Sequence, residues 1–426
     1  MNLVYTSTTI LLFITPLLVS PITSEIFEFP KTIFLYLITG IFLLFSTENF
    51  KIKKEHLPYL LILSTTFVSS IFSAYKYNSF FGYYTRFNGG FISILCYCII
   101  AMIITNNINT LKNKTYNLIK ASISTGVIIS IYSILQKTGI DKTLWVNDSS
   151  LRTFSSLGQP NWLAAFLIPI LFLTILIGFK KPKTGIILSG LVYAGFWFTY
   201  SISGLISIFI SMLIFIILTY KYLKTHKIYV LILFLLFSTI SISYLGTFKH
   251  RLIKIKENLM SLTIVTKAYA SQFAPNNVKT EDTGYIRYIL WKGSLKLITA
   301  TPKQFLIGSG PQTFVYEFPK FMPKEIRNTS EKGIIHNKPH NWFIELTTDL
   351  GLIGLLSYLY FIIHFSMLFF KKIKNNNDKE KILLSTSLYV GWLSILISSL
   401  FGWPTVSTMI MFFIWPIFFS NIKHGK

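Results

Sequence analysis

Apolar residues in this chain come in long runs, not in the alternating or three-and-four spacing of a fold with one wetted face. Crossing a hydrocarbon layer takes about 20 mostly apolar residues, and on that ruler the runs predict roughly twelve transmembrane helices. Their centres fall near Pro16, Leu37, Leu63, Leu95, Ile129, Pro169, Ala194, Ser211, Phe234, Leu356, Leu393 and Phe412. The tightest division is "TYSISGL", Thr199 to Leu205, where the seventh and eighth spans must be joined by a very short turn. The first run has no basic leader and no small-residue cleavage site, and a second follows closely, so it reads as a retained span.

One long stretch is largely polar, from near Thr247 to Asn341. It divides the chain into a nine-span bundle over 1–246, a loop over 247–341 and a three-span bundle over 342–426. Loops of that length are functional or disordered. Its middle, "SQFAPNNVKTEDTG", reads as flexible. Its second half, "YIRYILWKGSLKLI", has helical spacing with Trp291, Leu295 and Ile298 on one side, which fits an amphipathic helix at the membrane surface or capping the bundle. No internal repeat is visible. A carrier of two six-span halves would place its long loop in the middle, not between spans nine and ten.

Composition agrees with the pattern. Hydrophobic residues make up 52% of the chain and charged residues 13%, about half the charge of a soluble domain. The net charge of +24 comes from basic residues between apolar runs. That is a topology signal, and with no basic stripe or recognition motif it excludes nucleic acid as a partner. "KIKKEH", "LKNK", "KKPK", "KYLKTHK", "KKIKNNNDKEK" and the tail "KHGK" fall in alternate loops, which makes that side cytoplasmic and puts both termini there. The opposite short loops hold Glu25, Glu28, Asp141 and Asp148, and the long loop lies outside. Cys96 and Cys98 sit two apart in an apolar run and cannot pair with each other. No His, Cys, Asp or Glu cluster has metal spacing, so no metal or other cofactor is expected.

Candidate chemistry collects at the outer surface. The spans carry almost no carboxylate at mid-depth, which argues against an ion-driven carrier. His364 reads as a satisfied or interfacial histidine. Arg86 sits in "FGYYTRFNGG", Arg152 in "LRTFSSLGQPNWLAAF", Arg287 in "GYIRYILW", and His336, Lys338 and His340 in "IIHNKPHNW". Arginine forks match phosphate oxygens, although singly each residue could be an interfacial snorkeller. Gly89, Gly90, Gly158, Gly308 and Gly310 lie beside these sites and would allow close backbone approach. Asn161 follows a Gly158–Pro160 turn, at a helix start that suits either an anion or a simple cap. Pro339 restricts Lys338 to an extended conformation, so His340 and Asn341 open the next helix. An imidazole there borders low dielectric and a positive helix end, both of which disfavour its protonated form. It would be a neutral base near pH 7. Glu345 and Asp349 follow at i, i+4 spacing, either to orient the imidazole or as wetted interfacial charges.

At these residues the chain resembles the O-antigen ligase family. Arg287 with Trp291, Gly308 with Gly310 and Phe314, His340 with Asn341, and Gly351 with Gly354 reproduce the family's Arg-x-x-x-Trp, Gly-x-Gly, His-Asn and Gly-x-x-Gly order. "LGQPNWLAAF" resembles the opening of an earlier span. The resemblance implies an all-α polytopic membrane protein of the C-type glycosyltransferase class, in the bacterial cytoplasmic membrane, with its large loop between spans nine and ten. It implies an inverting, metal-independent transfer of a glycan from undecaprenyl diphosphate to an acceptor hydroxyl on a lipid, a glycan or a protein. Arg287 would hold the diphosphate, His340 would activate the acceptor and Trp291 would shape the pocket. Two departures stand out. "YSISG" carries Ile202 where family members often have arginine, so the second phosphate-binding arginine would be Arg152 or, failing that, Arg86. Asn337 stands where an acidic residue often precedes the basic one. The competing readings are an O-antigen polymerase, a protein O-oligosaccharyltransferase and, from another class, a lipid-linked glycan flippase.

Overall fold

The computed structural model describes residues 3–23, 25–46, 50–111, 114–146, 148–244 and 283–421, with Phe248 and Ile253. The bound between the first bundle and the loop, the stretch expected to be flexible up to residue 282, and the basic tail lie outside the described residues. Every regular element among the described residues is helical. In chain order these are α1 (Leu3–Ile14), α2 (Glu28–Ser46), α3 (Leu57–Ile71), α4 (Lys76–Phe81), α5 (Phe91–Asn106), α6 (Ile108–Leu111), α7 (Thr115–Lys137), α8 (Pro160–Gly178), α9 (Pro182–Trp197), α10 (Ile202–Leu223) and α11 (Lys227–Ser243). Beyond the loop come α12 (Thr283–Ile298), α13 (Pro302–Ile307), α14 (Phe314–Glu317), α15 (Trp342–Lys374), α16 (Lys379–Ser399) and α17 (Val406–Asn421).

A helix occupies each expected centre, with a 3-10 turn at Pro16. Among the described residues, five helical stretches are long and apolar enough to cross a membrane: α7, α8, the run Ile202–Ser243, α15 and α16. Leu3–Leu17, α5 and α17 are apolar but shorter. Local sequence explains the starts. Pro160 opens α8 at a position whose N–H needs no partner, and the Gln159 side chain accepts from Trp162 N at 3.1 Å. Ser201 caps α10 through Gly204 N at 3.1 Å, so the division at "TYSISGL" is a four-residue turn between α9 and α10. α8 and α16 are enclosed by their neighbours, whereas α10 and α11 leave most of their surface outward for lipid.

The described part of the loop builds a small core of its own from Ile286, Ile289, Leu290, Leu297, Phe314, Phe318 and Ile326. Of the expected face of α12, Ile298 is buried and Trp291 packs against this core, but Leu295 is 58% exposed, and Ile286, Leu290 and Leu297 make up the rest of the buried stripe. The apolar partners of α12 come from the loop's own later residues, which a reading of α12 alone could not see.

α15 is broken at Gly351, where φ is 68° and ψ is −172°. The break frees carbonyls that a continuous helix would use, and Ser309 N and Gly310 N each bond to one, Thr348 O and Asp349 O, at 2.9 Å. A Cβ on Gly308 would lie 2.2 Å from Asp349 O, and one on Gly351 would lie 2.3 Å from Leu306 C. The two glycine motifs therefore clamp the loop backbone onto the α15 backbone. They allow close approach as expected, but between two stretches of protein.

Candidate active site

His340 is the last residue before the cap of α15. Asn341 Oδ1 accepts from Phe343 N at 3.0 Å and Ile344 N at 3.2 Å, satisfying two helix-start donors. Trp291 Nε1 donates to Pro339 O at 3.0 Å, so α12 holds the peptide that precedes the histidine. Between these two fixed points His340 adopts φ 57°, the left-handed region. A non-glycine residue there costs on the order of 1 kcal/mol, and the tethers on both sides hold it. The ring lies against Trp403 with centroids 5.1 Å apart.

Burial pushes the His340 pKa down to about 4, and the positive charges of Arg287, His336 and Lys338 push the same way. The expected neutral imidazole is thus favoured first by desolvation and then by neighbouring charge. Arg287 is itself lowered by burial and partly compensated by Glu331. His336 Nδ1 lies 3.3 Å from Glu331 Oε2, and burial lowers the pKa of its ring. Neither expected carboxylate orients His340. Glu345 is engaged by Lys338 Nζ and by Gln312 Nε2, the latter at 3.2 Å, and Asp349 Oδ2 accepts from Gln312 N at 2.9 Å. Both carboxylates sit on the far side of Trp403 from the imidazole.

Trp403 and Pro404 are shared by two adjoining cavities. The smaller is lined by His340, Asn161, Trp162, Ser203 and the turn before α17. The larger is lined by Arg86, Lys338, Glu345, Asp349, Gln312, Trp342 and Glu28. Lys338 and His340, two residues apart, serve opposite cavities, and both pack on the Trp403 ring, the ammonium at 5.5 Å.

The arginines differ in what they do. The Arg86 guanidinium lies 5.1 Å over the Trp162 ring, and Trp162 packs edge-on to Trp403 at 6.0 Å, so Arg86 sits at the seam between the cavities. Arg152 lines neither cavity. Its Nε donates to Thr199 O at 3.0 Å and its Nη2 to Asn161 Oδ1 at 3.3 Å. It does reach the α9–α10 turn where the resemblance leads one to expect an arginine, but as a brace. Asn161 is not a helix cap, since Gln159 takes that role. Its Oδ1 also accepts from Ser201 Oγ at 2.8 Å.

Several site residues were not foreseen. Glu28, expected in a wetted outer loop, is 2% exposed, and its Oε2 accepts from Val406 N at 2.8 Å. Trp403 lies in "FGWPT", where a tryptophan between turn residues was the available signal. Gln312 carried none, because its role depends on the backbone clamp.

Residues 185–359 match the family described as O-antigen ligase. Over those residues the chain is similar to the O-antigen ligase family. The match spans α9 to the middle of α15 and so contains Arg287, Trp291, His336, Lys338, His340, Asn341 and the glycine clamp, while Arg86, Arg152, Asn161 and Trp403 lie outside it. No curated protein matches the chain. The family domain and the apolar helices make this a bacterial inner-membrane protein of the ligase and polymerase type of membrane glycosyltransferase.

Proposed function

We propose that this protein moves a glycan from undecaprenyl diphosphate to an acceptor hydroxyl at the outer face of the membrane. One observation carries the reading: the half-buried imidazole of His340, held toward its neutral form by desolvation and by the charge of Arg287, lines a cavity. In this scheme His340 takes the proton of the acceptor hydroxyl. The acceptor oxygen bonds to the anomeric carbon as the bond from that carbon to the diphosphate oxygen breaks, inverting the centre. Undecaprenyl diphosphate leaves as an anion, and Arg287 and Arg86 take up its charge, where a fixed cation in low dielectric has most effect. The imidazolium releases its proton to outer water. Trp291 and Asn341 position His340, Arg152 braces Asn161, Lys338 adds positive charge beside Trp403, and His336 contributes a polar group near Arg287. Roughly twelve spans, with both termini inside, would put this site on the outer face.

Purified protein with an undecaprenyl-diphosphate glycan and a panel of lipid, glycan and protein acceptors tests the proposal and identifies the acceptor. His340→Ala should abolish transfer with donor binding retained, and Arg287→Ala should lose donor binding. Wild-type rates in both variants would refute the roles. Movement of intact donor across liposomes would favour a flippase instead.

A further inference from the structure

The proposed chemistry uses only the cations Arg86 and Lys338 of the larger cavity beside Trp403, yet three carboxylates reach it from two helices: Glu28 of α2, and Glu345 and Asp349 of α15. They are 2%, 6% and 5% exposed. Each keeps one buried oxygen with no hydrogen-bond partner among the described residues: Glu28 Oε1, Glu345 Oε2 and Asp349 Oδ1. An ionised carboxylate accepts and a protonated one also donates, and leaving either bare when buried is costly, so the cavity calls for polar groups from outside the chain that can do both, as hydroxyls can. The described residues form no cluster arranged to hold a metal ion. Cations already stand close by. Lys338 pairs with Glu345, Lys31 Nζ lies 3.9 Å from Glu28 Oε1, and Arg86 acts on Glu28 through its charge. Both signs of charge border the cavity, with Arg86 and Lys338 against Glu28 and Glu345, so a ligand of either net charge would meet like charge there. The indoles of Trp342 and Trp403 form apolar walls.

Hydroxyl donors, no net charge and flat apolar faces describe a neutral sugar ring. Resting on the transfer reading above, we propose that this cavity is a saccharide subsite, in which Glu28, Glu345 and Asp349 accept hydrogen bonds from the hydroxyls of a neutral sugar and the two indoles cover its C–H faces. The reacting hydroxyl then sits in the His340 cavity and the diphosphate at the seam beside Arg86, with Trp403 bordering both cavities. The sugar belongs either to the donor glycan or to a saccharide acceptor, and the chemistry is the same for both.

The full chain in lipid nanodiscs, probed on an array of neutral, amine-bearing and uronic-acid oligosaccharides and separately titrated with inorganic pyrophosphate, tests this. Neutral sugars should bind best. Glu28→Gln and Asp349→Asn should each weaken them by about tenfold or more, the worth of a hydrogen bond to a charged acceptor, and leave pyrophosphate affinity unchanged. Thermal unfolding checks that each variant is folded. If Asp349→Asn is not, Glu28→Gln on its separate helix decides. Absence of neutral-glycan binding, equal or better binding of uronic-acid glycans, or unchanged affinity in a folded Glu28→Gln protein overturns the subsite. A raised KM for the lipid-linked donor assigns the sugar to the donor, and a raised KM for the acceptor assigns it to the acceptor. Arg287→Ala serves as the converse: retained pyrophosphate affinity would sink the diphosphate role without touching the glycan result.

Discussion

Acidification separates His340 from an ordinary histidine. With the pKa held down to about 4, against an ordinary value near 6.5, the surroundings favour the neutral ring by about 3.4 kcal/mol. At pH 5.3 an ordinary imidazole is about 94% protonated, whereas His340 would be about 5% protonated. If the neutral ring is the base, kcat/KM, which reports the free enzyme, should stay near its plateau down to about pH 5 and fall only toward pH 4. The assay is initial-rate transfer from an undecaprenyl-diphosphate glycan across pH 4.5 to 8, with the His340 ring titrated by NMR in parallel. Stability should follow with the same sign. The native state binds fewer protons than the unfolded chain between the two values, so His340 contributes fully above about pH 6.5 and its contribution is lost as pH falls toward 4. His340→Gln should flatten that loss in a thermal unfolding series. An acidic limb in kcat/KM centred near 6.5 would refute the reasoning, because burial would then not be controlling the ring.

Other expectations follow from the same geometry. Gly351→Ala places a Cβ 2.3 Å from Leu306 C at φ 68°. It should cost about 3 kcal/mol or more in thermal unfolding, while Gly40→Ala, with nothing within 4 Å of the new methyl, should be close to neutral. Asn341→Ala removes the acceptor for two helix-start N–H groups and should cost about 1 kcal/mol, largely restored by Asp or Ser. Trp291→Phe deletes the bond to Pro339 O, worth about 1 kcal/mol. It should lower kcat about fivefold with little change in donor binding.

The site was legible in the sequence where one residue's chemistry and its local chain sufficed. That His340 and Asn341 stand at the start of a helix, after a Pro339 that restricts Lys338, was readable because proline geometry acts on the neighbouring residue. What depended on partners far along the chain was not. Leu295 was placed on the buried face of α12 and is exposed, because the apolar partners of that helix, Phe314 and Phe318, lie in a separate segment of the loop. Glu345 and Asp349 seemed available to His340 by spacing, yet Lys338 and Gln312 engage them first. Arg152 and Arg86 look alike as sequence, and only packing made one a brace and the other part of a cavity wall.

By itself, then, the sequence determined that this is a helical membrane protein, where its helices begin and which imidazole stands at a helix start, because hydropathy runs and caps are local. Tertiary structure alone decided that Glu28, Arg86, Trp403 and His340 surround two adjoining cavities. Between α2 and α17 lie most of the chain's helices, and their packing, not any motif, sets the distances across that gap. The physical reason is range: hydrogen bonds within a turn are fixed by neighbouring residues, whereas burial and charge at a site are sums over everything that folds around it.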